Sequence, residues 1–400
     1  MQREEPALSV LDVGTGLVKA LVVAPGPPVS VLGAAAAELP SDPAQSAGAQ
    51  AGLVAACEQA LEAAEDAAGV VPRRVAIGLD GQHGIVVTAT GETRRSRPSA
   101  VISPEEVALL LARLQREALA TARRRWQTER AGSDPLVPVN AAVLRASAGG
   151  RVVADPTGLA GAWLELALVS AFAGSEPVGR ARALAEQLDL DLAALFVSSY
   201  ALGACLAVGR DGRGVVVDVG AEATSVVLAD GGWVAGAGTL PLGGRGLEAR
   251  LAAELGLSQD EARAAVAAHT LGGGTGLSAA LHRAVRRLAE HHAEVWLDGV
   301  ELLCAELAQE GTLPPRILLC GGAAGLPELR RGLAEPSWHA ALPFERPPAV
   351  RLLAPADVPH VNDHTLALPA LQAVPALCLA AMAAGACAPP TRLDHLLETG

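Results

Sequence analysis

Four hundred residues, half of them apolar and 18% charged, are enough for two or more domains with sizeable cores and read as a soluble globular chain. The formal charge of −12 argues against a nucleic-acid surface and against simple electrostatic binding to anionic lipid, and the acidic opening MQREEPALSV is unlike a secretory leader. Aromatics make up only 2%, so alanine, leucine and valine must fill the core. The six cysteines show no Cys-x-x-Cys spacing and read as buried small hydrophobes in a reducing cytoplasm.

The first element, Val10-Leu11-Asp12-Val13-Gly14-Thr15-Gly16-Leu17-Val18-Lys19, predicts two strands joined by a tight turn. An aspartate ending a buried strand can hold Mg²⁺ directly or through water, and nearby glycines let backbone N–H groups approach phosphate oxygens. Lys19 is the only lysine in the chain. A polar turn segment over 41–50 then precedes helical periodicity over 53–67. Val75–Leu79 predicts a short buried strand, with Gly81-Gln82-His83-Gly84 as its turn and His83 as a structural turn residue.

From Arg94 to about Gly174 the pattern changes to that of a separate small domain. Ser103-Pro104-Glu105-Glu106 is a helix start with a capping box. Its helix carries Val107, Leu110, Leu111, Leu114 and Ala118 on one face and ends in Arg123-Arg124-Arg125-Trp126, read as a solvated helix end. Two strands follow, over 139–146 and 162–169, with Asp155-Pro156-Thr157-Gly158-Leu159-Ala160-Gly161 between them. A helix over 178–190, a strand over 192–197 and a connecting helix over 200–209 complete this half.

The stretch 214–246 then repeats the opening plan, roughly two hundred residues later. Val215, Val216 and Val217 end on Asp218 and Gly220, and after Thr224 and Ser225 come Val226, Val227 and Leu228. Leu242-Gly243-Gly244-Arg245-Gly246 leads into a helix over 247–255, and Ser258-Gln259-Asp260-Glu261 starts another. Gly272-Gly273-Gly274-Thr275-Gly276 lacks the Gly-Lys-Ser/Thr ending of a phosphate loop and reads as a flexible connector to a long helix over 277–307. Arg316–Cys320 is a buried strand, followed by Gly321, Gly322, Gly325 and a helix opened by Pro327. Leu366–Cys387 is apolar but interrupted by Pro369 and Pro375, which predicts a buried helix and not a membrane span.

Two strand-Asp-x-Gly hairpins followed by a strand and a Gly-Gly turn resemble the actin-like ATPase superfamily. The resemblance implies an α/β, two-lobed, duplicated ribonuclease H-like fold around ATP and Mg²⁺. It assigns phosphate loop one to Asp12, Gly14, Thr15, Gly16 and Lys19, phosphate loop two to Asp218, Gly220 and Thr224, and the metal to Asp12 and Asp218. Gly243 and Gly244 become the glycine pair beside the nucleotide, and Gly321, Gly322 and Gly325 the adenosine loop. The implied domains are 1–90, 175–208 and 364–388 for the first-lobe core, 91–174 for an inserted subdomain, 209–244 and 312–363 for the second-lobe core, and 245–311 for its helical part.

The insertion, with Asp155-Pro156-Thr157-Gly158-Leu159-Ala160-Gly161-Ala162-Trp163-Leu164-Glu165 before its last strand, resembles the division protein FtsA. That implies a cytoplasmic scaffold which docks FtsZ-like or other division and envelope proteins at the membrane and self-associates into filaments, with weak or no ATP hydrolysis. A PilM-like adaptor of a pilus or secretion system and a small-molecule kinase are the alternatives. Departures are visible. Ser198 or Ser199 falls where active relatives carry Glu or Gln, and Ala264 or Ala265 where FtsA relatives carry Lys. The C-terminal stretch, with a small apolar face, lacks a basic amphipathic stripe. Glu222 replaces a glycine of loop two, where two like charges about 4 Å apart repel by about 4 kcal/mol at an effective dielectric near 20.

Overall fold

A computed structural model describes residues 6–39, 46–129, 134–207, 212–230, 232–308, 311–387 and 391–397. The first elements are β1 (Leu8–Val13), β2 (Leu17–Ala24), β3 (Val29–Glu38), α1 (Ser46–Ala68) and β4 (Arg74–Leu79). Then come β5 (Gly84–Arg94), α2 (Pro104–Glu129), β6 (Leu136–Ala148), β7 (Arg151–Val153) and β8 (Trp163–Gly174). After these lie α3 (Ser175–Gln187), β9 (Asp191–Val197) and α4 (Ser198–Ala207). The second hairpin is β10 (Gly214–Val219) and β11 (Thr224–Asp230), continued by β12 (Trp233–Leu240), α5 (Gly244–Leu255), α6 (Gln259–Gly272) and α7 (Ala279–Ala308). The chain closes with β13 (Arg316–Cys320), α8 (Pro327–Ala334), α9 (Pro336–His339), β14 (Ala349–Leu352), β15 (Val361–Asp363) and α10 (Ala370–Ala383).

The repeat read from the sequence is a repeat of topology. One sheet runs β15-β3-β2-β1-β4-β9 and another β12-β11-β10-β13-β14. In each, an antiparallel hairpin (β1 with β2, β10 with β11) is followed across the sheet by a parallel strand, β4 or β13. The parallel strands are near-continuous apolar runs because helices cover both faces. Val215, Val216, Val217, Ile317 and Leu319 are all buried. Trp296 of α7 sits with no exposure at the centre of the second lobe's core.

A third sheet, β5-β8-β6-β7, packs against α2 and carries its own cluster around Leu110, Leu111, Leu114 and Leu168. It begins at Gly84 and not in the nineties, because the strand after the His83 turn runs on to Arg94. Its strands are longer than the sequence pattern suggested, and β7 was not anticipated. The capping box forms as expected: the Glu106 amide donates to Ser103 Oγ, 3.3 Å, and Ser103 N to Glu106 Oε2, 2.9 Å. Buried Arg95 ties the box to the loops, donating to Glu106 and to the carbonyls of Ala100, Val101 and Gly161.

Three expectations need correction. Helix α1 starts at Ser46, inside the segment read as a polar turn, since the alanine-rich run there is as helical as the residues from Leu53 onward. The 272–276 glycines form a hydrogen-bonded helix terminus, with Gly273 left-handed at φ 59° and Gly274 N–H donating to Ala268 O, 2.9 Å. The Arg-rich end of α2 is solvated at Arg123 and Arg124 but not at its other two residues. Trp126 is buried, and Arg125 reaches the second lobe, donating to Ala237 O, 3.1 Å, and pairing with Glu306, 3.4 Å. Thr88 donates to Val234 O, 2.8 Å, and the Arg145 guanidinium lies 5.8 Å from the Trp233 ring, so three residues of the inserted region grip the edge strand β12.

Candidate functional site between the lobes

Hairpin register places Asp12 opposite Lys19, so both side chains emerge on one face, and Lys19 Nζ lies 2.5 Å from Asp12 Oδ2. Both groups are nearly buried. Burial works against the lysine's charge, but Asp12, and behind it Asp218 and Asp80, hold its pKa above the ordinary value. Asp218 ends β10 as Asp12 ends β1. Burial, with Asp12 and Asp80 adding to it and Lys19 opposing, pushes its carboxyl up to about 7.

Asp80 is the residue that sequence reasoning missed. It ends β4, next to β1, and accepts from Gln82 N at 2.9 Å; burial raises its pKa. A signal was present, since Leu79-Asp80-Gly81 also sets an aspartate at a strand end with glycine close behind, though without the intervening residue of the other two sites.

Around this charge cluster the glycine pattern has steric causes. Gly321 has φ +92°, and a Cβ there would stand 2.3 Å from Asp218 Oδ1 and 2.5 Å from Val219 O. A Cβ on Gly16 would come 2.8 Å from the Ala221 side chain, so loops one and two meet across the lobes. Gly244 N–H donates to Gly220 O, 3.0 Å, and Arg245 N–H to Ala221 O, 2.8 Å, which seats the glycine pair and the start of α5 on loop two. A cleft of 910 Å³ opens beside these loops, lined by Gly14, Thr15 and Asp80 from one lobe and Glu222, Gly243 and Arg245 from the other. At its rim Arg263 of α6 donates to Glu38 of β3, 3.0 Å, joining the lobes.

Several expected roles come out differently. Glu222 is not a bare charge facing phosphate, because Arg245 Nη1 pairs with it at 2.7 Å; the repulsion anticipated from the sequence is compensated inside the loop. Thr224 is fully buried, donates to Leu242 O at 2.7 Å and accepts from Trp296 Nε1 at 2.9 Å, so its hydroxyl holds the lobe's interior and not a phosphate. Gly321, Gly322 and Gly325 do not line the cleft. They lie under the start of α10, with Gly321 N–H donating to Leu371 O, 2.9 Å, and Gly322 beside Gln372. Ser198 Oγ is buried without a hydrogen-bond partner, next to Gly78 and Asp12, and His83 lines the cleft as part of a short turn.

Among the described residues no group of three or more His, Cys, Asp or Glu is placed to hold a metal on its own. The donor set nevertheless fits a magnesium nucleotide. Asp12 and Asp218 are half-compensated carboxylates, Ser198 Oγ is an orphaned polar atom that faces Gly78 as Asp12 Oδ1 does, and Mg²⁺ is commonly held by one or two carboxylates with phosphate and water completing its shell. The three carboxylates and one lysine leave a surplus of negative charge that a divalent cation would neutralise.

No family model matches the chain, and no curated protein matches it. Among solved structures, a PilM-PilN type IV pilus biogenesis complex is similar at TM-score 0.60 and 18% identity, over 94% of this chain and 97% of that one. The ethanolamine utilization protein EutJ from Carboxydothermus hydrogenoformans is similar at TM-score 0.49 and 13% identity, over 95% and 91%. A Bacteroides thetaiotaomicron protein of unknown function, described as having an actin-like ATPase fold, gives TM-score 0.37 and 10% identity over 87% and 90%. With its duplicated hairpin sheets and paired strand-end aspartates, this chain has the actin-like ATPase fold.

Proposed function

We propose that the chain is a nucleotide-responsive adaptor of the PilM-like kind, which docks partner proteins of a pilus or secretion assembly and turns ATP over weakly or not at all. The observation that carries this reading is the inserted region's grip on β12 through Thr88, Arg125 and Arg145, which ties any change in lobe spacing to the inserted subdomain. Similarity over nearly the whole length to the PilM of a PilM-PilN complex supports an adaptor role over the FtsA reading. Weak turnover fits the resemblance, which sets Ser198 or Ser199 where active relatives carry a water-orienting Glu or Gln, because a hydroxyl is a weak base.

In this reading Lys19 and the N–H groups of loops one and two would hold phosphate, while Asp12 and Asp218 would hold the cation. The bound magnesium nucleotide supplies the opposite charges that these groups share. Lys19 pairs with Asp12, and Arg245, paired with Glu222, keeps it from repelling the ligand. Calorimetry of Mg-ATP on the wild type and Asp12→Ala, with phosphate release followed in parallel, tests the nucleotide half. Binding lost in the variant with little release supports it, and equal binding by both refutes it. The partner half is tested against the cytoplasmic tail of a short membrane protein encoded next to this chain, and absence of that interaction refutes it.

The FtsA-like scaffold, docking an FtsZ-like tail, is the second reading, favoured by the Asp155–Glu165 segment; binding of an FtsZ tail peptide from the same organism would put it first. The kinase alternative gains Asp80 as an acidic group in the cleft, and phosphoryl transfer to a small hydroxylated acceptor in a coupled assay would establish it.

A further inference from the structure

The outer edge of β6 is occupied at three places in three ways. At one end Asn140 ties it to the first lobe, donating to Leu195 O, 2.9 Å, and accepting from Val197 N, 3.1 Å. At the other end Ala146–Ala148 pair with β7. Between them β6 bulges, with its register to β8 shifting between Val143 and Arg145, and both backbone groups of Val143 are taken by the C-terminal segment. Thr391 Oγ1 donates to Val143 O, 2.7 Å, and Val143 N–H donates to Asp394 Oδ1, 3.0 Å. Arg392 N–H donates to Ala154 O, 3.1 Å, just past β7.

Between those anchors Leu393, 1% exposed, enters the buried cluster of the inserted subdomain with Ile102, Leu110, Leu111 and Leu164. Leu396 and Leu397 cover the same cluster from outside. The segment is not an added strand: Asp394–Leu396 form a short 3-10 turn, and it is held by one leucine in an apolar socket and by side-chain oxygens that satisfy an open strand edge. The rest of the chain's end behaves otherwise: α10 is buried in the first-lobe core, whereas residues 391–397 belong to the inserted subdomain.

We propose that the β6 edge at Val143 and the adjoining leucine socket form a peptide-docking slot which the chain's own C-terminal segment fills. A partner segment of Thr-x-Leu-Asp chemistry gains the slot only by displacing it. The tether gives the resident segment an effective concentration on the order of millimolar, so a free competitor is held off until the segment is released. The slot is independent of the nucleotide reading and of whichever assembly the chain serves.

The test uses a fluorescent peptide of residues 391–397, TRLDHLL, with wild-type chain and with Leu393→Asp, which ejects the resident segment. The Leu393→Asp chain is expected to bind the peptide at least roughly ten-fold more tightly than wild type, and a peptide with the same Leu-to-Asp change is expected not to bind. Equal binding by both chains, or none by a folded Leu393→Asp chain, overturns the proposal. Should that variant not fold, hydrogen exchange on the wild type decides. Faster exchange at the Val143 amide than at the β8-paired amides of β6, accelerated further by excess peptide, supports a displaceable segment; protection equal to those neighbours, unmoved by peptide, overturns it.

Discussion

Asp218→Asn should remove a pH-dependent penalty from the folded protein. The carboxyl rises from 3.8 to about 7 through burial and the neighbouring aspartates. Between those values the folded state binds more protons than the unfolded chain, so stability falls as pH rises through this window and levels off above it. Each pKa unit is worth about 1.4 kcal/mol, which sets an upper bound of about 4 kcal/mol. Asp218 is only partly buried by exposure, and solvent screening brings the expected loss between pH 4.5 and 8 to about 2 kcal/mol. Asparagine keeps the shape without the charge, so the variant should melt higher than wild type at pH 8 and nearly equal to it at pH 4.5. Thermal denaturation across that range reads the difference, and millimolar Mg²⁺ should raise the wild-type melting point at pH 8 while leaving the variant's unchanged. Parallel stability curves for the two proteins would refute the argument, because the buried charge would then not be the titrating cost.

Lys19→Met leaves Asp12 buried and unpaired, with an expected loss of about 3 kcal/mol by urea denaturation that Asp12→Asn in the same chain should largely restore. Gly321→Ala meets both a left-handed backbone and the Asp218 carboxylate, so it should cost at least about 2 kcal/mol in the same measurement and weaken any nucleotide binding seen in calorimetry. Arg125→Ala removes a hydrogen bond and an ion pair between the inserted region and the second lobe. Its stability loss should stay near about 1 kcal/mol, while hydrogen exchange in β12 rises. Glu222→Gly frees Arg245 beside loop one, and calorimetry should show tighter Mg-ATP binding than in wild type, by about three-fold or more.

Much of the fold was legible because the two hairpins carry the same strand-Asp-x-Gly chemistry, and a buried parallel strand leaves an uninterrupted valine and leucine run. Asp12 and Asp218 were legible as the aspartates of the repeated hairpins and Lys19 through the resemblance, and the β1–β2 register sets Lys19 opposite Asp12. Asp80 was passed over because its strand was read for its turn and not for its last residue. What distance decides was out of reach. Arg245 beside Glu222, Trp296 beside Thr224 and Arg125 on Ala237 join residues 23, 72 and 112 positions apart, and no local pattern encodes those pairings. The tail's place on β6 is the extreme case, joining Val143 to a residue 251 positions later.

The return of β15 and α10 to the first lobe has a consequence for the order of assembly on the ribosome. Strand β15 pairs in parallel with β3, Val361 against Val29, and α10 buries Ala373–Ala381 in the same core as β1 and β2. The first lobe therefore has to wait, with its apolar sheet face uncovered, until the whole second lobe has been synthesised. The second-lobe sheet needs only residues 214–352 and can close earlier. Strands made first are completed last, and the long-range closure makes slow folding and a dependence on chaperones during synthesis the expected behaviour of the newborn chain.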